Sequence, residues 1–301
     1  MAIEPGSAFW AAVAARIAEA RGGAFAMRRS EPLGGGCINS AWRIEDGSQR
    51  YFVKLNRASL ASMFEAEAEG LREIDAAGGV RVPRPVCTGT HGGHAFLVLE
   101  YLDLGGRADA AAAERLGRGL AAVHGAVGTR FGWHRDNTIG STPQENAPAD
   151  DWVGFWRERR LGFQLALAAR NGHGGRLQAR GERLLDAFPA LFEGYRPEPS
   201  LLHGDLWGGN FGVTRGGVPV VFDPAVYYGD READIAMTEL FGGFDPRFHA
   251  AYREAWPLDS GYRVRRVLYN LYHILNHLNL FGGGYRAQAE AMIDELLAQL
   301  R

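Results

Sequence analysis

Apolar side chains recur at three- and four-residue intervals through AFWAAVAARIAEAR, residues 8–21, and predict a helix. The period then shortens. FAMRRSEPL, INSAWRIE and RYFVKLN alternate or concentrate β-formers and read as three strands. Gly34-Gly35-Gly36-Cys37 separates the first two and Asp46-Gly47-Ser48 the second pair, so they predict an antiparallel meander. A helix over 60–76 follows, and PVCTGT and AFLVLEYL, joined through HGGH, add a further hairpin. Together these predict a five-stranded antiparallel sheet with one inserted helix. Beyond Leu102 the helical period dominates, near 109–127, 150–170, 176–193, 232–241, 247–256, 262–280 and 286–300, interrupted only by a short strand pair, NFGVT and VPVVFD. GSTPQENAPADD, 140–151, reads as the longest loop. The break near Asp103–Gly106 predicts an α+β, bilobal chain with a sheet lobe of residues 1–102 and a mainly helical lobe of residues 103–301.

Composition narrows the functions open to such a chain. Its 301 residues, 46% hydrophobic and 23% charged, can bury a sizeable core. A net charge of -2 argues against coating nucleic acid or a membrane surface, so the expected partners are small molecules. The start, MAIEPGSAFW, has no basic segment leading into an apolar run, and no stretch approaches the ~18 apolar residues of a membrane span, so a cytoplasmic location is expected. Two cysteines, Cys37 and Cys87, fit neither a disulfide framework nor a zinc spacing. Lys54 is the only lysine among 33 cationic side chains. In a chain that otherwise writes arginine, it marks a position where a compact ammonium is needed and a planar guanidinium does not serve.

The chemistry concentrates in LLHGDLWGGNFGV and VVFDPAV. Asp205 and Asn210 have the spacing of a kinase catalytic loop, and Asp223 ends an apolar strand where the metal-binding aspartate of the kinase D-F-G run would fall. Phosphoryl transfer needs a carboxylate facing the attacking hydroxyl, oxygen ligands for magnesium and a cation on the phosphates. Asp205, Asn210 with Asp223, and Lys54 supply these in turn. The lysine needs a carboxylate partner on the following helix. At 100° per residue Glu67 falls on the arc of Leu60, Met63, Phe64, Leu71 and Ile74, while Glu65 and Glu69 point away, which selects Glu67. Gly34, Gly35 and Gly36 either cover phosphates or make a tight turn.

HGDLWGGN, DPAVYYGDREADIAM with ELFGGF, MFEAEAEGL, and DNTIGSTPQENAPADDWVGFWRERRLGFQL resemble the fructosamine kinase, or ketosamine-3-kinase, family over nearly the whole chain. The resemblance implies a protein-kinase-like fold. It also implies transfer of the ATP γ-phosphate to the 3-hydroxyl of ribulosamine, erythrulosamine or fructosamine adducts of amines, free or protein-bound, leading to deglycation. The alternatives are another alcohol kinase of the aminoglycoside and choline kinase group, or a nucleotide-binding pseudokinase. By the same resemblance Asp205 is the catalytic base, Asn210 and Asp223 hold Mg²⁺, and Lys54 and Glu67 position ATP. Glu100, Tyr101 and Leu102 form the hinge that meets adenine. Trp207 packs on the sugar or between lobes, His203 and Asp234 support the catalytic loop, and Asp230 and Glu232 are weaker candidates. A cysteine in the glycine loop has been linked in such proteins to redox control, so Cys37 is either a redox switch, with a monomer or a redox-linked homodimer, or a small packing residue.

Overall fold

A computed structural model describes residues 6–34 and 38–300. The sheet is built from β1 (Arg29–Leu33), β2 (Ser40–Glu45), β3 (Arg50–Arg57), β4 (Pro85–His91) and β5 (His94–Glu100), ordered β1-β2-β3-β5-β4 with every pairing antiparallel. Alternation decides which side chains go where. Tyr51, Val53 and Leu55 of β3, with Phe96 and Val98 of β5, pack against Phe9, Trp10, Val13 and Ile17 of α1 (Ser7–Arg21). Cys87 is buried in this layer, and burial pushes its thiol up to about 11. The intervening residues, Ala95, Leu97 and Leu99, face α2 (Ala61–Ala77), and Lys54, opposite Leu97, shares that face.

α2 buries Met63, Phe64, Ala66, Glu67, Ala68, Gly70, Leu71 and Ile74. Its apolar face is continuous with the core of the helical body, so this side of the sheet and the helices share one interior. Gly70 permits the contact, because a Cβ there would lie 2.7 Å from Val226 Cγ2. Outside this face Glu69 and Glu65 clasp Arg135, and Glu73 accepts from Trp133 Nε1 (2.8 Å) and Tyr228 Oη (2.6 Å).

The helical body comprises α3 (Ala110–His124), α4 (Trp152–Trp156), α5 (Phe163–Arg170), α6 (Arg176–Ala187), α7 (Glu232–Leu240), α8 (Pro246–Ala255), α9 (Tyr262–Phe281) and α10 (Arg286–Gln299). α3 packs on α8, and α7 and α10 pack on α9. Two features differ from the sequence expectation. Besides β9 (Phe211–Val213) with β10 (Pro219–Val221), two further ladders form: β6 (Asn137–Ile139) with β7 (Thr142–Gln144), and β8 (Ser200–Leu202) with β11 (Tyr227–Gly229). Thus part of the expected 140–151 loop is strand. The helix expected over 150–170 contains a π-turn at Arg157–Gly162. Arg160 in that turn is fully buried, donates to Glu145 O (2.6 Å) and Asn146 Oδ1 (2.7 Å), and stacks its guanidinium on Tyr227 and Phe155. Beyond β5, Asp103 pairs with Arg215, and the Gly106 amide donates to Val213 O (2.9 Å), so this segment runs beside β9.

Candidate active site

Lys54 is 5% exposed on β3, and its Nζ donates to Glu67 Oε1 on α2 at 2.6 Å and to Asp223 Oδ1 at 2.7 Å. Burial works against the charged amine, but two carboxylates outweigh it and its pKa rises, so the ammonium is held. Burial pushes Glu67 up to about 7, with Lys54 opposing and Asp223 reinforcing the rise. Asp223 lies two residues beyond β10 with φ at 58°, and it is the one non-glycine residue of positive φ among the described residues. Residues before proline avoid most compact conformations, so this backbone is strained where Pro224 follows.

Asp205 follows β8 through a turn that only glycine can make. Gly204 has φ of 81°, and a Cβ there would come within 2.1 Å of Ala225 O. Asp234 of α7 holds the turn from beneath, accepting the backbone amides of His203 (2.7 Å) and Gly204 (2.8 Å). His124 Nε2 lies 3.2 Å from Asp234 Oδ2, and His124 Nδ1 lies 2.7 Å from Tyr252 Oη. Despite its burial, Asp234 is held below the usual carboxylate range by His124, His203 and the Gly204 amide. His203 accepts the Asp205 amide at Nδ1 (3.3 Å), and its Nε2 lies 3.0 Å from Phe222 O, which places its proton on Nε2. Burial lowers its pKa.

Asn210 donates its side-chain amide to Asp205 O (2.8 Å) and Asp205 Oδ2 (3.2 Å), leaving Oδ1 as the atom it can offer a cation. Burial raises Asp205 to about 7, the nearby Asp223 adds to the rise, and Asn210 opposes it. A carboxyl group poised near neutrality suits proton transfer at physiological pH.

These groups line one cavity of about 840 Å³. Of the residues expected from sequence, it brings together Gly34, Lys54, Glu67, Glu100, Leu102, Asp205, Trp207, Asn210 and Asp223. His203 and Asp234 lie under the loop, not in the cavity wall. Tyr101 is not in the wall either, and its ring lies beneath Arg43 and Arg50. The Glu100 carboxylate is clasped by Arg81 and its amide donates to Arg84 O (2.9 Å), so neither is free for a purine. Gly35, Gly36 and Cys37 lie outside the described residues. The weaker candidates Asp230 and Glu232 belong elsewhere. Asp230 accepts from half-buried Tyr195 and from Tyr269, Glu232 pairs with Arg265, and both acids are enclosed in the helical body.

Sequence reasoning missed the opposite wall, made by Asn137, Thr138 and Ile139 of β6, Phe241 just past α7, Asn276, His277 and Phe281 of α9, and Tyr285. One signal was present: Asn276 and His277 interrupt an apolar helix face, and Asn276 is only 3% exposed.

The arrangement joins a fixed ammonium to two carboxylates at one end and a near-neutral carboxyl group beside an amide oxygen at the other. Comparison with known proteins agrees with that chemistry. The family model described as fructosamine kinase matches residues 9–299. A Synechocystis sp. protein that carries a ketoamine kinase name is 47% identical over 289 residues, 96% of this chain and 97% of that protein. A chloroplastic protein-ribulosamine 3-kinase of Oryza sativa subsp. japonica is 44% identical over 273 residues, 89% of this chain and 79% of its own. A crystal structure from Haemophilus somnus 129PT that carries a fructosamine-3-kinase name superposes with a TM-score of 0.88 at 31% identity, covering 96% of this chain and 97% of that one. An aminoglycoside phosphotransferase, at 15% identity and a TM-score of 0.63 over 95% of this chain and 98% of its own, shares the fold.

Proposed function

The chain belongs to the fructosamine kinase family, and from that premise we propose that it transfers the γ-phosphate of ATP to the 3-hydroxyl of a ketoamine. The observation that carries this reading is the convergence of Lys54, Glu67, Asp223, Asn210 and Asp205 on one cavity. Lys54, kept charged by its two carboxylates, neutralises phosphate oxygens as a point charge. Glu67 fixes the direction of the ammonium. Asp205 takes the proton of the attacking hydroxyl, and its position is set by Asn210 and, through the backbone, by Asp234.

The donor set suits magnesium. Asp223 and the Asn210 amide oxygen are hard ligands few enough to leave the remaining positions to phosphates and water. Asp223 and the Asn210 amide oxygen would hold magnesium at this end of the cavity, where it would supply neutralising charge to the phosphates. Adenine meets the backbone of residues 101 and 102, since the Glu100 carboxylate is committed to Arg81 and its amide to Arg84.

The 3-phosphate also accounts for deglycation. It replaces a poor leaving group on the carbon next to the carbonyl of the ketoamine. Loss of a proton from C1 gives an enaminol, which expels phosphate from C3, and hydrolysis of the resulting imine frees the amine. Among the described residues no helix is long and apolar enough to cross a membrane. A cytoplasmic location is part of the same proposal. The test is ATP turnover by purified protein offered ribulosamine, erythrulosamine and fructosamine adducts alongside aminoglycosides, choline and homoserine. Magnesium-dependent turnover confined to ketoamines is expected. Turnover confined to the other alcohols, or nucleotide binding without any turnover, overturns the reading.

A further inference from the structure

Among the described Trp and Phe residues, the three most exposed are Trp207 (41%), Phe241 (40%) and Phe281 (52%), and all three line the active cavity. One exposed ring alone is ordinary, but three gathered in one cavity mark a binding surface. They form one continuous wall. Trp207 meets Phe241 edge-on at 6.3 Å between centroids, Phe241 meets His277 at 4.9 Å, and His277 meets Phe281 at 5.4 Å and Tyr285 at 5.2 Å. The indole is set by the backbone beside it: a Cβ at Gly209 would fall 2.3 Å from the ring, so glycine there leaves the space that Trp207 occupies.

The wall is apolar and carries no carboxylate. The acids that line the cavity are Glu67, Glu100, Asp205 and Asp223; Lys54 engages Glu67 and Asp223, Arg81 engages Glu100, and Asp205 is the base. The imidazole of His277 is half-buried, its Nδ1 lies 2.8 Å from His273 O, and burial lowers its pKa, so it adds no positive charge. A polycation rich in hydroxyls would find few partners on this wall. An alkyl chain bearing a secondary ammonium would find apolar area for its methylenes and ring faces for its charge.

Resting on the ketoamine-kinase reading, we propose that Trp207, Phe241, His277, Phe281 and Tyr285 form the amine-side subsite. It holds the alkylammonium stem of the ketoamine, as in a glycated lysine side chain, while the sugar carbons lie at Asp205. The wall selects substrates by the length of the carbon chain on nitrogen.

The test uses ribulose adducts of methylamine, butylamine, hexylamine and Nα-acetyl-lysine with saturating MgATP. For the native enzyme kcat/KM is expected to rise about tenfold from the methyl to the butyl adduct, the scale of three half-buried methylenes. Phe281→Ala and Phe241→Ala, both at exposed positions, are expected to raise KM for the butyl, hexyl and lysine adducts three- to tenfold. The loss is expected to grow with chain length and to be smallest for the methyl adduct. Robust turnover with no dependence on chain length, or an equal loss on methyl and hexyl adducts in both variants, overturns the subsite while leaving the ketoamine reading intact. Failure of the native enzyme to phosphorylate any adduct overturns the reading and the subsite with it.

Discussion

Replacing Lys54 by methionine keeps most of the length of the side chain and removes its charge. The ammonium sits 2.6 Å from Glu67 and 2.7 Å from Asp223. At an effective dielectric of about 20 each contact is a gross attraction of about 6 kcal/mol, most of it offset by desolvation. Losing one partner of a buried pair costs roughly 3–5 kcal/mol. The Asp223 side chain is 45% exposed, so solvent screens its share, and the loss falls mainly on Glu67. The deficit depends on pH with a definite sign. Glu67 already sits near 7, above its usual 4.5, with an ammonium beside it; without the ammonium it rises further. A carboxyl group whose folded value is raised favours the fold when protonated, and that advantage is lost as pH climbs through the folded value. Lys54→Met is therefore expected to melt roughly 6–10 °C lower at pH 8, with a smaller deficit at pH 6. Adding Glu67→Gln should recover most of the melting temperature and none of the activity, while kcat falls about 10²–10³-fold in both variants. Thermal melts at the two pH values with parallel ATP turnover measure this. An unchanged melting temperature, a deficit equal at pH 6 and 8, or turnover within threefold of native would refute the buried-pair reasoning.

The same geometry sets three further outcomes. Asp205→Asn should lower kcat about 10³-fold with little change in the KM for ATP, and stabilise the fold above pH 7, because a carboxylate raised to about 7 opposes folding once ionised; kinetics and urea melts check both. The acid limb of kcat/KM should fall at or below about pH 7, and lie lower at higher magnesium because a cation on Asp223 removes its push on Asp205; pH profiles at two magnesium concentrations read this directly. Gly70→Ala should shift α2 against Val226 and carry Glu67 with it, raising the KM for ATP several-fold in steady-state kinetics. Glu65→Ala, on the exposed side of the same helix, serves as the control and should change that KM little.

Much of this was legible in the sequence because the residues concerned obey a local period or spacing. Alternation in β3 placed Val53 and Leu55 on one face and Lys54 on the other, and the 100° arc selected Glu67 over Glu65 and Glu69. The spacing from Asp205 to Asn210 to Asp223 picked out three residues that the fold brings to one cavity with Lys54. The β6–β7 and β8–β11 ladders escaped because three-residue strands carry no measurable period. The RERRL segment falls within the helix expected over 150–170, yet Arg160 is enclosed by Tyr227 and Phe155 and lies within a π-turn. The aromatic wall was invisible for another reason. Its members run from Trp207 to Tyr285 and are joined only where α9 packs against α7 and the residue that follows it.

The central claim is that Asp205 takes the proton from the 3-hydroxyl of a ketoamine while Lys54 holds the phosphates of the nucleotide. Phosphorus–proton correlation NMR on the product of ribulose-lysine and MgATP tests it most directly, run with native protein and with Asp205→Asn. The account predicts phosphate on C3 alone with native protein and none above background with the variant; phosphate on another carbon, or equal product from both proteins, would contradict it.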